Sequence, residues 1–331
     1  MTVYSAAGSG MRHGQTFRIR IPILLFVLLF VFSHGSIILS AGDALIWEIR
    51  HPEHPGVLFL AGSVHLGHAD MYPLDRIYDE ALGKSDYLGF EIVSPNLMKV
   101  AAFTIKKGMY PVQSEVNLRS LLGEESFQLL NGLIPSARPD VLERMKPWAA
   151  GGLLEAELAK KLHFTVQSGM ETVFHAAAAA RPKRGLETEE EQLTLMADPA
   201  LEEEYLSDIR KNVASPEKLR ESILAVIPAV REGKTDVLLR LLEEAKKDTP
   251  GVYRSLILQR NRTMAGRLLE MLKEEKTGFV LVGAGHCLGP ESIPFLLGQA
   301  GCSVIRLNFI GEPGALCPKG NAAAKTRSID R

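Results

Sequence analysis

The chain has 331 residues, enough for one large domain or two modest ones with a sizeable core. It is 46% hydrophobic and 23% charged, an ordinary globular composition, and 38 Lys plus Arg nearly cancel 39 Asp plus Glu. That balance excludes the basic footprint of a nucleic-acid binder.

At the N-terminus, Arg12, Arg18 and Arg20 precede an unbroken apolar run over residues 23–32, and small residues follow at Ser40, Ala41, Gly42 and Ala44. A basic region, an apolar core and a small-residue exit predict a secretory signal over residues 1–44, cut after Gly42 or Ala44. The alternative is an uncleaved anchor, since residues 19–41 nearly suffice to span a bilayer. Met11 offers a second start, because the residues before it add nothing to the signal. The expected location is extracytoplasmic, periplasmic or secreted, with membrane association if the segment is retained.

Residues 45–50 and 57–61 read as strands joined by the turn His51-Pro52-Glu53-His54-Pro55-Gly56. The second is continuously apolar, as expected of a strand covered on both faces. After a loop over 62–72, Pro73 is placed to open a helix whose stripe Leu74, Ile77, Tyr78, Ala81 and Leu82 runs to Gly83. Residues 87–93 form a third expected strand.

From 96 to about 180, and again from 188 to 276, apolar residues recur at helical spacing. Thr188-Glu189-Glu190-Glu191 matches a capping box. Ser215-Pro216-Glu217 offers a cap, a first-turn proline and an acid at the positive helix end. Between the helical blocks, residues 183–187 read as a short strand or loop. Residues 278–282 are an apolar strand, 292–299 a helix and 303–307 a last strand. From Gly311 the composition predicts a disordered tail, 311–331. The expected fold is α/β (α+β), with a mixed central β-sheet flanked by helices over residues 45–310. A large helical insertion separates two strand-Gly-x-x-His halves.

Those halves carry the chemistry. Leu60-Ala61-Gly62-Ser63-Val64-His65-Leu66-Gly67 and Leu281-Val282-Gly283-Ala284-Gly285-His286-Cys287-Leu288-Gly289 share an apolar strand, Gly-x-x-His and a following glycine. A single such motif occurs by chance, and its histidine is usually structural. Two copies 221 positions apart, each at a strand exit where ligands collect, point to one crevice. Glu91 ends an apolar run and needs a partner or a crevice; Glu187 is a second carboxylate, equally explained by a helix dipole. Histidine with carboxylate suits Zn, Mn, Fe or Co and a metal-activated water. HExxH is absent, so the chain is not a zincin. Gly283-x-Gly285-x-x-x-Gly289 has the wrong spacing for a dinucleotide loop, and Ser63 lacks the nucleophile elbow. Cys287, Cys302 and Cys317 form no CxxC pair; Cys287 reads as buried and inert, and a Cys287–Cys302 disulfide stays open.

Taken in order, several stretches resemble the TraB/GumN group. They are Phe59–Gly67 with Tyr72-Pro73-Leu74, then Ser85-Asp86-Tyr87-Leu88-Gly89-Phe90-Glu91 and Lys146-Pro147-Trp148. Gly185-Leu186-Glu187-Thr188 with Glu191-Gln192, then Arg260-Asn261, and Gly283-Ala284-Gly285-His286 complete the set. The group includes the TIKI metalloproteases and is related in fold to erythromycin esterase and ChaN-like proteins. The resemblance implies that His65, Glu91 and His286 form the core of one site, with Arg260 and Glu187 orienting or binding substrate. It also implies metal-dependent peptide hydrolysis with Mn or Co. The chain departs from the group at Ser63, where Thr is usual, at Glu171, where Asp is usual, and after His286, where Cys287-Leu288-Gly289-Pro290 alters one wall.

The expectation is therefore an exported metal-dependent hydrolase, a peptidase acting on a peptide or protein substrate. Mn, Co or Zn is held by His65, His286 and Glu91, and Glu91, Glu187 and Arg260 assist catalysis. The rivals are a haem- or metal-binding protein using the same cleft, and a non-catalytic interaction protein.

Overall fold

Six short apolar or alternating runs form the strands: β1 (Asp43–Arg50), β2 (Val57–Ser63), β3 (Tyr87–Phe90), β4 (Lys183–Gly185), β5 (Thr277–Gly283) and β6 (Ser303–Asn308). The computed structural model describes residues 43–93 and 95–318. The signal or anchor expected over 1–44 lies outside the described residues, except that Asp43 and Ala44 already belong to β1 and Ala44 is fully buried. Among the described residues, no helix is long and apolar enough to cross a membrane.

The strands make one mixed sheet in the order β4-β3-β5-β2-β1-β6. β4, β3, β5 and β2 run parallel, while β1 is antiparallel to both its neighbours. Continuous burial of Leu58–Ala61 in β2 and Phe279–Val282 in β5 shows that helices cover both faces at the centre of the sheet. The apolar run of β2 therefore meets its expectation. Phe174, from the helix Met170–Ala177, stacks on Phe279 at 4.8 Å between ring centroids, and Tyr78 meets Phe174 edge-on at 6.3 Å. Each large side chain buried this way contributes roughly 1.5–3 kcal/mol.

Helices occupy the chain between β3 and β4 and between β4 and β5, as the spacing predicts. Three local expectations change. The third strand stops at Phe90, and Ile92 and Val93 leave the sheet half-buried. The first helix begins at Arg76, with Asp75 accepting from the Ile77 amide, so Asp75 and not Pro73 sets its start. Residues 311–318 are held against that helix. Arg76 N–H donates to the Glu312 carbonyl, Ala315 N–H to Asp79, and Leu316 is buried. Composition alone hid these contacts, because they are made by backbone groups that any residue carries. The end of the expected tail lies outside the described residues.

The capping box at Thr188 forms as read: the Glu191 amide donates to Thr188 and the Thr188 amide to Glu191. Ser215 precedes a helix beginning at Pro216, but its side chain makes no cap bond.

Candidate active site

Parallel pairing brings four strand ends to one edge of the sheet. Glu91 follows β3, Glu187 lies just beyond β4, His65 follows β2 and His286 follows β5. The β2–β5 register pairs Ser63 with Gly283, which sets the two Gly-x-x-His loops side by side. His65, Glu91, Arg260 and His286 all line one cavity of about 550 Å³. Glu187 does not line it; this carboxylate sits behind Arg260 and holds it.

Arg260 begins the regular part of a long helix, directly after the π-helical stretch Arg254–Gln259. Its Nε donates to both Glu187 oxygens at 3.2 and 2.9 Å, and Nη2 bridges Glu187 Oε2 at 2.8 Å and Glu91 Oε2 at 2.5 Å. Gln192 Nε2 spans the same two carboxylates, at 3.1 Å from Glu91 and 3.0 Å from Glu187. Glu91 Oε1 accepts from the Gly283 amide at 2.6 Å. Burial alone raises the Glu91 carboxyl, but Arg260, His286 and His65 outweigh it and hold the group well below the usual carboxylate range.

Each imidazole is tied at Nδ1. His286 Nδ1 lies 2.6 Å from Asn261 Oδ1, and Asn261 Nδ2 donates to the Glu291 carbonyl at 2.7 Å. That donation fixes the amide, so Oδ1 is the acceptor, Nδ1 carries the proton and Nε2 keeps its lone pair. Burial, then the Arg260 charge, push the His286 pKa down to about 3, so the ring is neutral. His286 Nε2 faces Glu91 Oε1 at 3.7 Å, one lone-pair atom opposite another.

His65 Nδ1 lies 2.9 Å from Glu171 Oε1, which also accepts from Ser63 Oγ. Burial lowers the His65 pKa, but the Glu171 charge and hydrogen bond outweigh it and raise it to about 9. Glu171 Oε2 is buried without a hydrogen-bond partner. The contact depends on two glycines. Gly67 pairs with Thr165 through both backbone bonds, and a Cβ at Gly67 would strike the Ser168 carbonyl, as one at Gly169 would strike that of His65. Gly67 therefore serves backbone packing, not ligand approach.

The donor chemistry fits a divalent cation. Two imidazoles, each oriented through Nδ1 by an oxygen, present Nε2, the arrangement that metal-binding histidines use. Glu91 Oε1 adds an oxygen donor. Glu91 and Glu187 pair with the Arg260 guanidinium and Glu171 pairs with the His65 ring, so with His286 neutral and His65 protonated the cluster carries one excess negative charge. Among the described residues, no group of three or more His, Cys, Asp or Glu side chains is gathered closely enough to hold a metal ion as it stands, so these donors would have to draw together around one.

The sequence reading named His65, Glu91, Glu187, Arg260 and His286, and the fold brings all five together. It left out Glu171, Asn261, Gln192 and Ser63 as working groups. Their signal was their place in the ordered motifs: Arg260-Asn261, Glu191-Gln192, and Glu171 in Gly169-Met170-Glu171. Cys287 and Cys302 are free and buried, and burial pushes the Cys287 thiol up, so neither is a nucleophile or a disulfide partner here.

Comparison with curated proteins finds no match, and comparison with solved structures finds none. A family model does match, over residues 45–306, nearly the whole of the described fold. The chain belongs to the TraB/PrgY/gumN family.

Proposed function

We propose that this protein is an exported, metal-dependent hydrolase that cleaves peptide or related amide bonds, as the TIKI proteases do. The observation that carries the reading is the pair His65 and His286, oriented at Nδ1 by Glu171 and Asn261 and lining one cavity with Glu91.

His65 Nε2, His286 Nε2 and Glu91 Oε1 would hold the ion. A divalent metal there supplies Lewis-acid polarisation of a carbonyl and a water of lowered pKa. Glu91 suits ligation better than proton transfer, because Arg260, Gln192 and the Gly283 amide already engage its oxygens and its basicity is suppressed. Burial raises the Glu171 carboxyl, but the His65 charge and the His65 and Ser63 hydrogen bonds outweigh it and hold it low, so Glu171 acts as a positioning residue for the His65 ring. Arg260 keeps Glu91 ionised and presents positive charge toward a developing oxyanion. Glu187 and Gln192 act as positioning residues for Arg260.

Metal content of the full chain, wild type beside His65→Ala and His286→Ala, tests the reading. Near-stoichiometric Mn, Co or Zn lost in both variants is expected, with Asn261→Ala weakening affinity roughly 10–100-fold. Wild-type protein that takes up none of the three metals would end the hydrolase reading; a Soret band on haem addition would replace it with a carrier.

A further inference from the structure

The cavity is divided by chemistry. Its floor is the charged sheet edge, whereas the opposite wall is hydrocarbon. Leu238, Leu241, Leu242 and Ala245 stand at i, i+3, i+4 and i+7 on the helix Asp236–Asp248, and the whole stripe lines the cavity with Leu256 and Ile257. Such a stripe ordinarily packs into a core, and this one does so while also bordering a ligand-sized space. Thr172 and His175, which also line the cavity, are exposed at its rim.

A peptide laid along that wall would bring backbone N–H and C=O groups with no partners there, each costly to bury. A hydrocarbon chain brings none. Both floor cations are already paired, Arg260 with Glu91 and Glu187 and His65 with Glu171, so the floor disfavours a free carboxylate and accepts a neutral carbonyl. At the mouth, Leu97 and Val100 of the helix Leu97–Lys107 continue the apolar lining, and Met98 and Ile105 of the same helix are 80% and 62% exposed. The apolar path therefore runs from the floor to the surface.

We propose that the cavity is a subsite for a linear acyl chain, entering as a neutral acyl amide with its carbonyl at the His65–Glu91–His286 floor. Its cleavage rests on the hydrolase reading. Water adds to the acyl carbon, the C–N bond breaks, and the nitrogen leaves as an ammonium carrying both protons of that water, releasing the acyl carboxylate.

The test is titration calorimetry of the full chain, treated with chelator so that no turnover occurs, against N-acylethanolamines from acetyl to dodecanoyl. Affinity should tighten roughly fourfold per added methylene until the cavity is filled. Leu242→Asn should weaken dodecanoyl binding at least about tenfold and leave acetyl binding unchanged. Leu97→Asn, at an exposed position that does not threaten folding, should shift it the same way by less. Offering the dodecanoyl amide as monomers and within phosphatidylcholine vesicles separates the sources: capture from either supports the subsite, and capture from vesicles alone marks a bilayer as the supply. Affinity that ignores chain length, or a capped Leu-Ala tetrapeptide binding as tightly as the dodecanoyl amide, overturns the proposal. Acyl binding that persists while Mn-, Co- or Zn-loaded protein cleaves nothing would support the subsite and remove the hydrolase reading instead.

Discussion

Glu91 and Glu187 at the sheet edge, and Glu155 and Asp208 in the helical insertion, all hold carboxyl groups away from water, yet their surroundings differ. At the sheet edge a guanidinium stands 2.5 Å from Glu91 and 2.8 Å from Glu187, and Glu91 stays ionised. In the insertion, among the described residues, Glu155 on Pro147–Lys161 and Asp208 on Glu202–Ala214 have no cation in salt-bridge contact; the Asp208 carboxyl accepts only from Asn212, and Glu155 Oε2 has no hydrogen-bond partner. Burial pushes Glu155 well above the usual carboxylate range and Asp208 up to about 7. Desolvation acts in both places, and only the sheet edge supplies the charge that overrides it. Charge overrides burial at the sheet edge, whereas burial prevails in the insertion.

Removing Arg260 should collapse the difference. Arg260→Met leaves Glu91 and Glu187 unpaired and is expected to cost roughly 3–5 kcal/mol in urea unfolding. Arg260→Lys should recover only part of this, because an ammonium cannot reproduce the fork across two carboxylates. A loss below about 1 kcal/mol would mean that the carboxylates protonate and relax at little cost.

The insertion should respond to pH in the opposite sense to an ion-paired acid. Asp208 in the folded state is raised from 3.8 to about 7, so between those values the folded chain binds more protons than the unfolded one. Its contribution to stability therefore falls as pH rises from about 4 to about 7 and levels off above. Asp208→Asn should flatten that slope and stabilise the protein at pH 8 by roughly 1–4 kcal/mol. Denaturant midpoints across pH decide it; a slope that survives the substitution assigns the titration elsewhere.

The smallest contrast concerns helix starts. Thr188→Ala, beside the sheet-edge carboxylates, should cost about 1 kcal/mol because its hydroxyl caps the Glu191 amide. Ser215→Ala in the insertion should change stability by less than about 0.5 kcal/mol, since that side chain caps nothing. Thermal melts of the two variants, run side by side, would show equal losses if the distinction were false.

Much of this was legible in the residues. The strands, the helical blocks and the repeated Gly-x-x-His announce themselves through periodicity and composition, which act over a few neighbours. The early end of β3 was not, because Ile92 and Val93 look like strand residues and leave the sheet only as Glu91 turns toward Arg260. Ser215 misled for a related reason: a good capping residue caps only if its backbone presents it to the helix amides.

By itself the sequence determined which side chains could do chemistry and that two of them stood at the ends of apolar strands. Only the tertiary structure decided that β2 and β5 are parallel neighbours, that Asn261 and Glu171 orient the two rings, and that Glu187 works through Arg260. Those contacts join residues 25 to 220 positions apart, from His286–Asn261 to Ser63–Gly283. Such pairings are set by strand order, register and the packing of the helical insertion, and no local pattern of residues encodes them.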